Sequence, residues 1–263
     1  MPIGIFDSGI GGLTVLKEIK RLLPDEDIVY FGDTARVPYG IKSRDTVIKF
    51  SMQNANFLLS LNVKMIIAAC NTSSSCSLQA LKKRFPIPVI GVIEPGVKEA
   101  AAKTKNMRLG VIGTRATVSS GAYQQAIKKA NPHIFVKAVS CPLFVPLAEE
   151  GWLDDEITHM VASRYLKTLK EEGIDTIILG CTHYPLLEGV IRRVLGSGVN
   201  VVDSATQTAK SVKRTLIDNS LQSSRKKAGS YKFFVSDEER RFKEVGSKFL
   251  GSRIEGVKRV SVD

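Results

Sequence analysis

Short apolar runs of strand length alternate along most of this chain with segments of helical spacing. In the first such segment, Leu13, Leu16 and Ile19 recur every three positions, which is typical of one face of a helix. Strands separated by helices favour a parallel sheet covered on both faces. The chain is therefore predicted to have an α/β fold. The strands are expected at residues 3–6, 28–31, 65–69, 89–93, 109–112, 134–139, 176–179 and 199–202.

An internal repeat indicates two similar halves. The opening stretch IGIFDSGIGGLTVL resembles LGVIGTRATVSSGAY at 109–123, and each predicts a strand, a small polar turn and a helix. Each half also contains an apolar run that ends in a cysteine, IIAACNTSSS at 66–75 and ILGCTHYP at 178–185. Two similar α/β lobes with mainly parallel sheets are therefore predicted, with the active site in the cleft between them.

Prolines and turns indicate where the chain passes between the lobes. A first crossing is expected near residues 94–95, in a stretch with three prolines, and a return near 203–205. The first lobe is therefore predicted to contain residues 1–94 and 205–263, and the second lobe residues 95–204.

The charge is strongly basic. The 263 residues include 38 Lys and Arg against 26 Asp and Glu, and residues 205–263 alone hold 14 basic and 7 acidic residues. Such a balance suits a solvated surface that attracts small anions, although a nucleic-acid-binding tail is an alternative. Because the chain has no recognisable nucleic-acid-binding module, no nucleic-acid partner is expected.

The location expected from the sequence is the cytoplasm. No apolar run approaches the roughly 20 residues that span a bilayer, so no membrane association is expected. The N-terminus lacks the features of a signal peptide. The four cysteines form no paired framework and no C-x-x-C motif, which indicates free thiols in a reducing compartment.

Two nucleotide-binding motifs are excluded. Gly9, Gly11 and Gly12 follow a predicted strand, but Thr14 stands where the dinucleotide fingerprint needs its third glycine. No phosphate-binding G-x-x-x-x-G-K-[ST] sequence occurs. The turn at residues 7–9 is interpreted as an amide-rich cradle at a helix start, with a simple helix cap as the alternative.

The two matched cysteines are the strongest functional candidates. In open α/β sheets, ligands bind beyond the carboxyl ends of the strands, where Cys70 and Cys181 are both predicted to lie. A thiol at a helix N-terminus has a lowered pKa and serves as a base near neutral pH. Asn71, Thr72 and Thr182 would offer donors beside the sulfurs. A buried structural role is the alternative for each cysteine, but two matched positions favour catalysis.

Two thiols on opposite walls of a cleft suit one particular reaction. A thiolate on one wall removes a proton from a carbon acid, and a thiol on the other wall returns one to the opposite face. This inversion requires no metal and no cofactor, and none is predicted. Asp7, Glu149 and His183 would manage protons and charge near the thiols.

Five motifs carry a resemblance to a known family. FDSGIGGLTV, GDTARVPYG, ACNTSS, PLFVPLAEEG and LGCTHYPLL occur in this order. Together they resemble the glutamate racemases, cofactor-independent enzymes that make D-glutamate for bacterial peptidoglycan. The resemblance covers about residues 3–203 and is weak beyond 205. It implies two α/β lobes with the site between them, and a homodimer is expected.

The resemblance also implies individual roles. Cys70 and Cys181 are implied to be the acid/base pair, with Cys70 acting on D-glutamate and Cys181 on L-glutamate. Asp7 is implied to assist Cys70, and Glu149 with His183 to assist Cys181. The implied substrate-binding residues are Asp7, Ser8, Tyr39, Gly40, Asn71, Thr72, Thr182 and His183.

Alternatives remain at the sequence level. The nearest alternative function is that of an aspartate racemase. In those enzymes a Cys-Thr-Glu motif would be expected at this position, whereas His183 follows Cys181 and Thr182 here and favours glutamate. A zinc site formed by Cys70, Cys181, His183 and Asp7 is a second alternative, but no ligand pair has the usual spacing.

Residues outside the motif positions receive simpler interpretations. Cys76 and Cys141 are expected to be structural, and His133 and His159 to lie on the surface. Asp33 is expected to support a turn or a neighbouring site residue.

Overall fold

A computed structural model describes residues 1–225 and 227–262. Lys226, from the basic run in the tail, and Asp263 lie outside the described residues. The α/β prediction is confirmed, since the described strands form two separate sheets whose pairings are all parallel. The strands are β1 (Ile3–Asp7), β2 (Ile28–Gly32), β3 (Met65–Ala68), β4 (Val89–Gly91), β5 (Arg108–Gly113), β6 (Phe135–Ser140), β7 (Thr176–Gly180), β8 (Asn200–Asp203), β9 (Tyr231–Val235) and β10 (Lys258–Arg259).

Helices follow most of the strands and cover both faces of the sheets. The α-helices are α1 (Leu13–Leu22), α2 (Arg44–Ser60), α3 (Asn71–Arg84), α4 (Ile93–Lys103), α5 (Arg115–Ser119), α6 (Ala122–Ala130), α7 (Phe144–Glu150), α8 (Glu156–Glu171), α9 (Glu188–Leu195), α10 (Ser204–Asp218) and α11 (Glu239–Leu250). Short 3₁₀ helices span Thr34–Arg36, Tyr39–Ile41 and Tyr184–Leu187.

The sheet order reproduces the sequence repeat. The first sheet runs β10-β9-β2-β1-β3-β4, and the second runs β6-β5-β7-β8. The four strands β2-β1-β3-β4 therefore match β6-β5-β7-β8 one for one. In this match the strand before Cys70, β3, corresponds to β7, the strand before Cys181. The repeat in the sequence thus predicts two lobes with the same topology.

The first sheet is apolar on both faces because helices cover both. On one face Ile3 and Ile5 pack with α1, α10 and α11. On the other face Phe6 and Val29 pack with α2 and α3. Such strands are continuous apolar runs, as buried parallel strands are expected to be.

The C-terminal segment adds to the first sheet, which the sequence analysis did not predict. Strand β9 pairs with β2, and β10 pairs with β9. Neither was predicted, because the apolar part of β9 is only three residues long and β10 consists of two exposed basic residues. Strand β4 is also shorter than predicted, since α4 already begins at Ile93.

We propose the lobe boundaries at 94/95 and 204/205. The apolar residues of α10, including Ala209 and Val212, belong to the core around β1. Helix α4 contributes Val97 and Ala100 to the core around β5. These contacts support a first lobe of residues 1–94 and 205–263 and a second lobe of residues 95–204. Within the described residues, no helix is both long and apolar enough to cross a membrane.

Candidate active site

Cys70 lies at the carboxyl end of β3, where the sequence places it. It is buried and occupies the N-cap position of α3. Its Sγ atom lies 3.6 Å from the Oγ atom of Ser8, which follows the neighbouring strand β1. The thiol therefore faces the loop that connects β1 with α1.

Cys181 lies at the equivalent end of β7, but it does not begin an α-helix. A 3₁₀ helix at Tyr184–Leu187 precedes α9, with Pro185 in its first turn. The prediction of an α-helix N-terminus at Cys181 is therefore wrong. Proline fixes φ and supplies no N–H, and the chain makes this tight turn before α9 can start. The Cys181 Sγ atom lies 3.8 Å from Nδ1 of His183.

The two thiols line the same small cavity between the lobes. Its volume is about 20 Å³, which is little more than one water molecule needs. Larger cavities, two of them of about 610 and 700 Å³, lie away from both cysteines. The lobes are thus closed on each other, and they must separate before an amino acid can enter.

Most of the residues predicted to bind substrate line this cavity. Besides the cysteines, the predicted residues in its lining are Ser8, Tyr39, Gly40, Asn71, Thr72, Thr182 and His183. Asp7 and Glu149 are not part of the lining. Four further lining residues were not predicted from the sequence, namely Val37, Pro38, Thr114 and Val145.

The internal repeat in the sequence could have identified Thr114 as a site residue. When IGIFDS is matched to LGVIGT, Thr114 falls opposite Ser8. Its Oγ1 lies 2.9 Å from Thr72 Oγ1 and 3.0 Å from Thr117 Oγ1, and Thr72 Oγ1 lies 3.1 Å from Thr117 Oγ1. Three buried hydroxyls therefore connect α3 of the first lobe with α5 of the second.

Two glycines allow the lobes to approach this closely. A Cβ atom on Gly11 would overlap Thr182 Oγ1 and lie 2.8 Å from His183 Nδ1. A Cβ atom on Gly40 would lie 2.5 Å from Cβ of Thr114. Both distances are too short for a real side chain, so the closed cleft requires glycine at both positions.

Asp7 is fully buried near Cys70. Its Oδ2 accepts a hydrogen bond from the Gly9 N–H at 2.9 Å, while Oδ1 has no partner among the described residues. Burial raises the pKa of this carboxyl group above its usual value, and the positive charge of His183 opposes the rise. A buried carboxylate with one unpaired oxygen is a candidate proton acceptor.

Asn71 presents an unpaired donor. The residue is buried, and its Oδ1 accepts a hydrogen bond from the Tyr123 hydroxyl at 2.6 Å. Its Nδ2 group has no partner among the described residues. An amide donor without a partner in a cavity wall suits a carboxylate ligand.

The lowered thiol pKa expected at the helix N-terminus is wrong for Cys70. Burial raises the pKa of the Cys70 thiol to about 12, and the nearby Asp7 carboxylate adds to the rise. Desolvation of the thiolate in the closed cleft outweighs the effect of the α3 N-terminus.

The imidazole of His183 lies beside groups that favour its protonated form. Burial alone would lower its pKa, but the hydrogen bonds to Cys181 and Glu149 and their negative charges raise it to about 10. The Nε2 atom lies 3.0 Å from Glu149 Oε1. The His183 ring also makes a T-shaped contact with Phe249 of α11, at 5.4 Å between centroids.

Glu149 is in turn held by the C-terminal helix. Nη2 of Arg241, in α11, lies 3.4 Å from Glu149 Oε2 and 3.2 Å from Glu150 Oε1. Burial tends to raise the pKa of Glu149, but His183 and Arg241 together hold it below its usual value. A charged chain thus runs from Arg241 of the first lobe to Cys181 of the second.

Asp33 supports the loop that carries Tyr39. Its Oδ2 accepts hydrogen bonds from Arg36 and from the Tyr39 hydroxyl, and its Oδ1 accepts one from Ser236. Asn54 also donates to the Tyr39 hydroxyl at 3.0 Å. Tyr39 therefore lines the cavity with its hydroxyl engaged elsewhere, and Asp33 occupies the supporting position expected for it.

The remaining cysteines and histidines lie outside the cavity lining. Cys76 and Cys141 are buried, and His133 and His159 are exposed. Across residues 1–225 and 227–262, no group of three or more His, Cys, Asp or Glu side chains is arranged to hold a metal ion. The zinc-site alternative therefore has no ligand set in this part of the chain.

Comparisons with known proteins agree with the geometry. Residues 3–212 match the family model described as Asp/Glu/Hydantoin racemase. The glutamate racemase of Geobacter metallireducens is 52% identical over 261 residues, which cover 99% of this chain and 97% of that protein.

Solved structures of similar proteins have the same fold. The glutamate racemase of Francisella tularensis, in complex with D-glutamate, has a TM-score of 0.94 at 42% identity, covering 100% of this chain and 98% of that one. The Escherichia coli glutamate racemase, in complex with L-glutamate and the activator UDP-MurNAc-Ala, has a TM-score of 0.83 at 30% identity, covering 99% and 98%. The resemblance found in the five motifs is thus confirmed, and the chain belongs to the Asp/Glu/Hydantoin racemase family.

Proposed function

We propose that this protein interconverts L- and D-glutamate by proton transfer between two cysteines, without a cofactor. The observation that carries the proposal is that Cys70 and Cys181, at equivalent positions of a structural repeat, line one cavity between the lobes. The relatives named glutamate racemase over nearly the whole chain support glutamate as the substrate.

The proposed reaction moves one proton on each face of the α-carbon. With L-glutamate, the Cys181 thiolate takes the α-hydrogen as a proton, and the electron pair of the broken C–H bond remains on the α-carbon and its carboxylate. The Cys70 thiol then gives its proton to the opposite face, which produces D-glutamate. The enzyme is left with a Cys181 thiol and a Cys70 thiolate, the state that accepts D-glutamate for the reverse reaction.

The groups beside each thiol suit these roles. A protonated His183 lies next to Cys181, and Glu149 helps to keep the imidazole charged. Asp7, with its unpaired Oδ1 near Cys70, can accept a proton from that side. Asn71 Nδ2 supplies a donor for a substrate carboxylate, and Ser8, Tyr39, Gly40, Thr72 and Thr182 complete the proposed substrate site.

We also propose the biological setting. D-glutamate from this reaction would supply peptidoglycan synthesis in the cytoplasm, and the four free, buried cysteines support a reducing compartment. A homodimer is proposed because Trp152, Ile157 and Met160 of the second lobe leave large apolar side chains exposed. Sedimentation equilibrium of the purified protein would test the dimer.

Hydrogen exchange by single-cysteine variants tests the mechanism. In D₂O, Cys70→Ser should still exchange the α-hydrogen of L-glutamate through Cys181, and D-glutamate should be nearly inert; Cys181→Ser should show the reverse. Both variants should lose full racemisation, because a serine hydroxyl is too weak an acid to replace the thiol. Cys76→Ser, which alters a buried cysteine outside the cavity, should behave as the wild type.

Three results would contradict the proposal. Equal exchange of both enantiomers by either single variant would mean that one residue serves both faces. Loss of activity in EDTA that zinc restores would mean that a metal takes part. If aspartate is racemised with a kcat/KM comparable to that of glutamate, the substrate assignment is wrong and an aspartate racemase is favoured.

A further inference from the structure

We propose that Tyr123 is a positioning residue that fixes the side-chain amide of Asn71, so that its Nδ2 group faces a substrate carboxylate. The inference rests on the proposed function, since it assigns the partner of a residue proposed to bind glutamate. None of the five sequence motifs contains Tyr123, and it does not line the cavity itself.

The hydrogen bond between the two side chains is short and fully enclosed. Tyr123 lies in α6, 1% exposed, and its hydroxyl donates to Asn71 Oδ1 at 2.6 Å. Asn71, 2% exposed, is the first residue of α3 and follows Cys70 directly. The other half of the same amide, Nδ2, is buried without a partner among the described residues. One end of the amide is therefore fixed by protein, and the other end is left free to bind.

This arrangement decides which end of the amide is available. An asparagine amide can turn by 180°, which would exchange the acceptor Oδ1 with the donor Nδ2. If it turned here, the Tyr123 hydroxyl hydrogen would lose its acceptor inside the protein. Burial raises the pKa of Tyr123 well above its usual value, so the hydroxyl stays protonated and remains a donor. The amide is thereby held with its donor group available for a negatively charged ligand.

The Tyr123 ring is itself held next to the second cysteine. It packs against Gly180, the last residue of β7, where a Cβ atom would lie 3.0 Å from Tyr123 Cε2. Tyr123 is in the proposed second lobe and Asn71 is in the first. The hydrogen bond thus joins the two lobes, and opening of the cleft would break it. The donor for the carboxylate is therefore set only when the lobes close.

Replacement of the hydroxyl tests the proposal. In Tyr123→Phe the ring remains, but the amide is free to turn its oxygen toward the carboxylate. KM for both enantiomers should rise about tenfold, while kcat changes by less than about threefold. Because the equilibrium constant between enantiomers is one, kcat/KM should fall equally in both directions.

A double-mutant cycle and a matched control separate positioning from general destabilisation. In an Asn71→Ala background, Tyr123→Phe should cause no further rise in KM. Tyr184→Phe removes another buried tyrosine hydroxyl, which donates to the Cys141 carbonyl at 2.8 Å, and should leave KM unchanged. An unchanged KM in Tyr123→Phe, an equal rise in Tyr184→Phe, or an additive effect in the Asn71→Ala background would each overturn the proposal.

A spectroscopic measurement reads the amide directly. The two side-chain N–H signals of Asn71 should shift when D-glutamate is added to the wild type, and the shift should be much smaller in Tyr123→Phe. Equal shifts in both proteins would overturn the proposal. Failure of the proposed function gives a different result, because a wild type that does not racemise glutamate overturns both together. If the wild type racemises glutamate normally but Tyr123→Phe gives one of the contradicting results, only the role of Tyr123 is overturned.

Discussion

His183 is buried and Glu149 is partly buried, and Nε2 of the imidazole lies 3.0 Å from Oε1 of the carboxylate. The other ring nitrogen faces the Cys181 sulfur. The hydrogen bonds to Cys181 and to Glu149, with the negative charges of both groups, raise the pKa of His183 and keep the imidazole protonated despite its burial. The charge next to Cys181 therefore depends on a residue 34 positions earlier in the chain.

Removal of the Glu149 charge should shift the pH dependence of the reaction. His183 has a pKa raised to about 10, and Glu149 is one of the groups that raise it. In Glu149→Gln the pKa of His183 should fall, so the imidazolium is lost at a lower pH. The alkaline limb of the kcat/KM profile should move to lower pH by about one unit or more. Glu150→Gln, at the exposed neighbour, should leave the limb in place, and an unchanged limb in Glu149→Gln would contradict the proposed role.

Loss of the Arg241 side chain should weaken the support that Glu149 gives to His183. Arg241 is half-exposed and contacts Glu149 at 3.4 Å, so its effect is screened by salt. Arg241→Gln should lower kcat by about two- to fivefold at low ionic strength, and the difference should shrink in high salt. Arg240→Gln, on the same helix and paired with Glu244 instead of Glu149, is the control. Equal effects of the two substitutions, or no salt dependence, would contradict the prediction.

A methyl group at Gly11 should prevent closure of the cleft. The added Cβ of Gly11→Ala would overlap Thr182 Oγ1 and crowd His183, so the lobes cannot reach the closed arrangement. We expect kcat/KM to fall by about 100-fold, the scale seen when reacting groups are displaced by about 1 Å. Gly9→Ala is the matched control, because its Cβ would meet Val37 Cγ2 at 3.6 Å, an ordinary contact distance. A similar loss of activity in both variants would mean that the β1–α1 loop itself, and not closure, is sensitive.

Removal of one partner from a buried ion pair should strongly destabilise the protein. Lys64 Nζ lies 2.5 Å from Glu26 Oε2 and donates to the Leu221 carbonyl, and Glu26 Oε1 accepts from the Ser223 N–H. Glu26→Ala should lower the free energy of unfolding by about 3–5 kcal/mol, because the lysine charge is left buried without its partner. Urea unfolding at pH 7 measures this loss. Glu244→Ala breaks an exposed pair and should change the free energy by less than about 0.5 kcal/mol; an equally small change in Glu26→Ala would contradict the prediction.

Local patterns in the sequence were sufficient for the fold class and for the main candidates of the site. Alternating apolar runs and helical spacing are properties of neighbouring residues, and they indicated parallel α/β lobes. The repeat placed Cys70 and Cys181 after equivalent strands, because a strand and the turn that follows it are adjacent in the chain. Both features can be recognised without knowledge of long-range contacts.

Contacts between distant segments were decided only by the tertiary structure. The pairing of β9 with β2, the contact of Arg241 with Glu149 and the hydrogen bond from Tyr123 to Asn71 each join residues about 50 to 200 positions apart. No periodicity encodes such pairs. The raised pKa of the Cys70 thiol has the same origin, since desolvation by the surrounding fold, and not the helix end that the sequence indicated, sets its value.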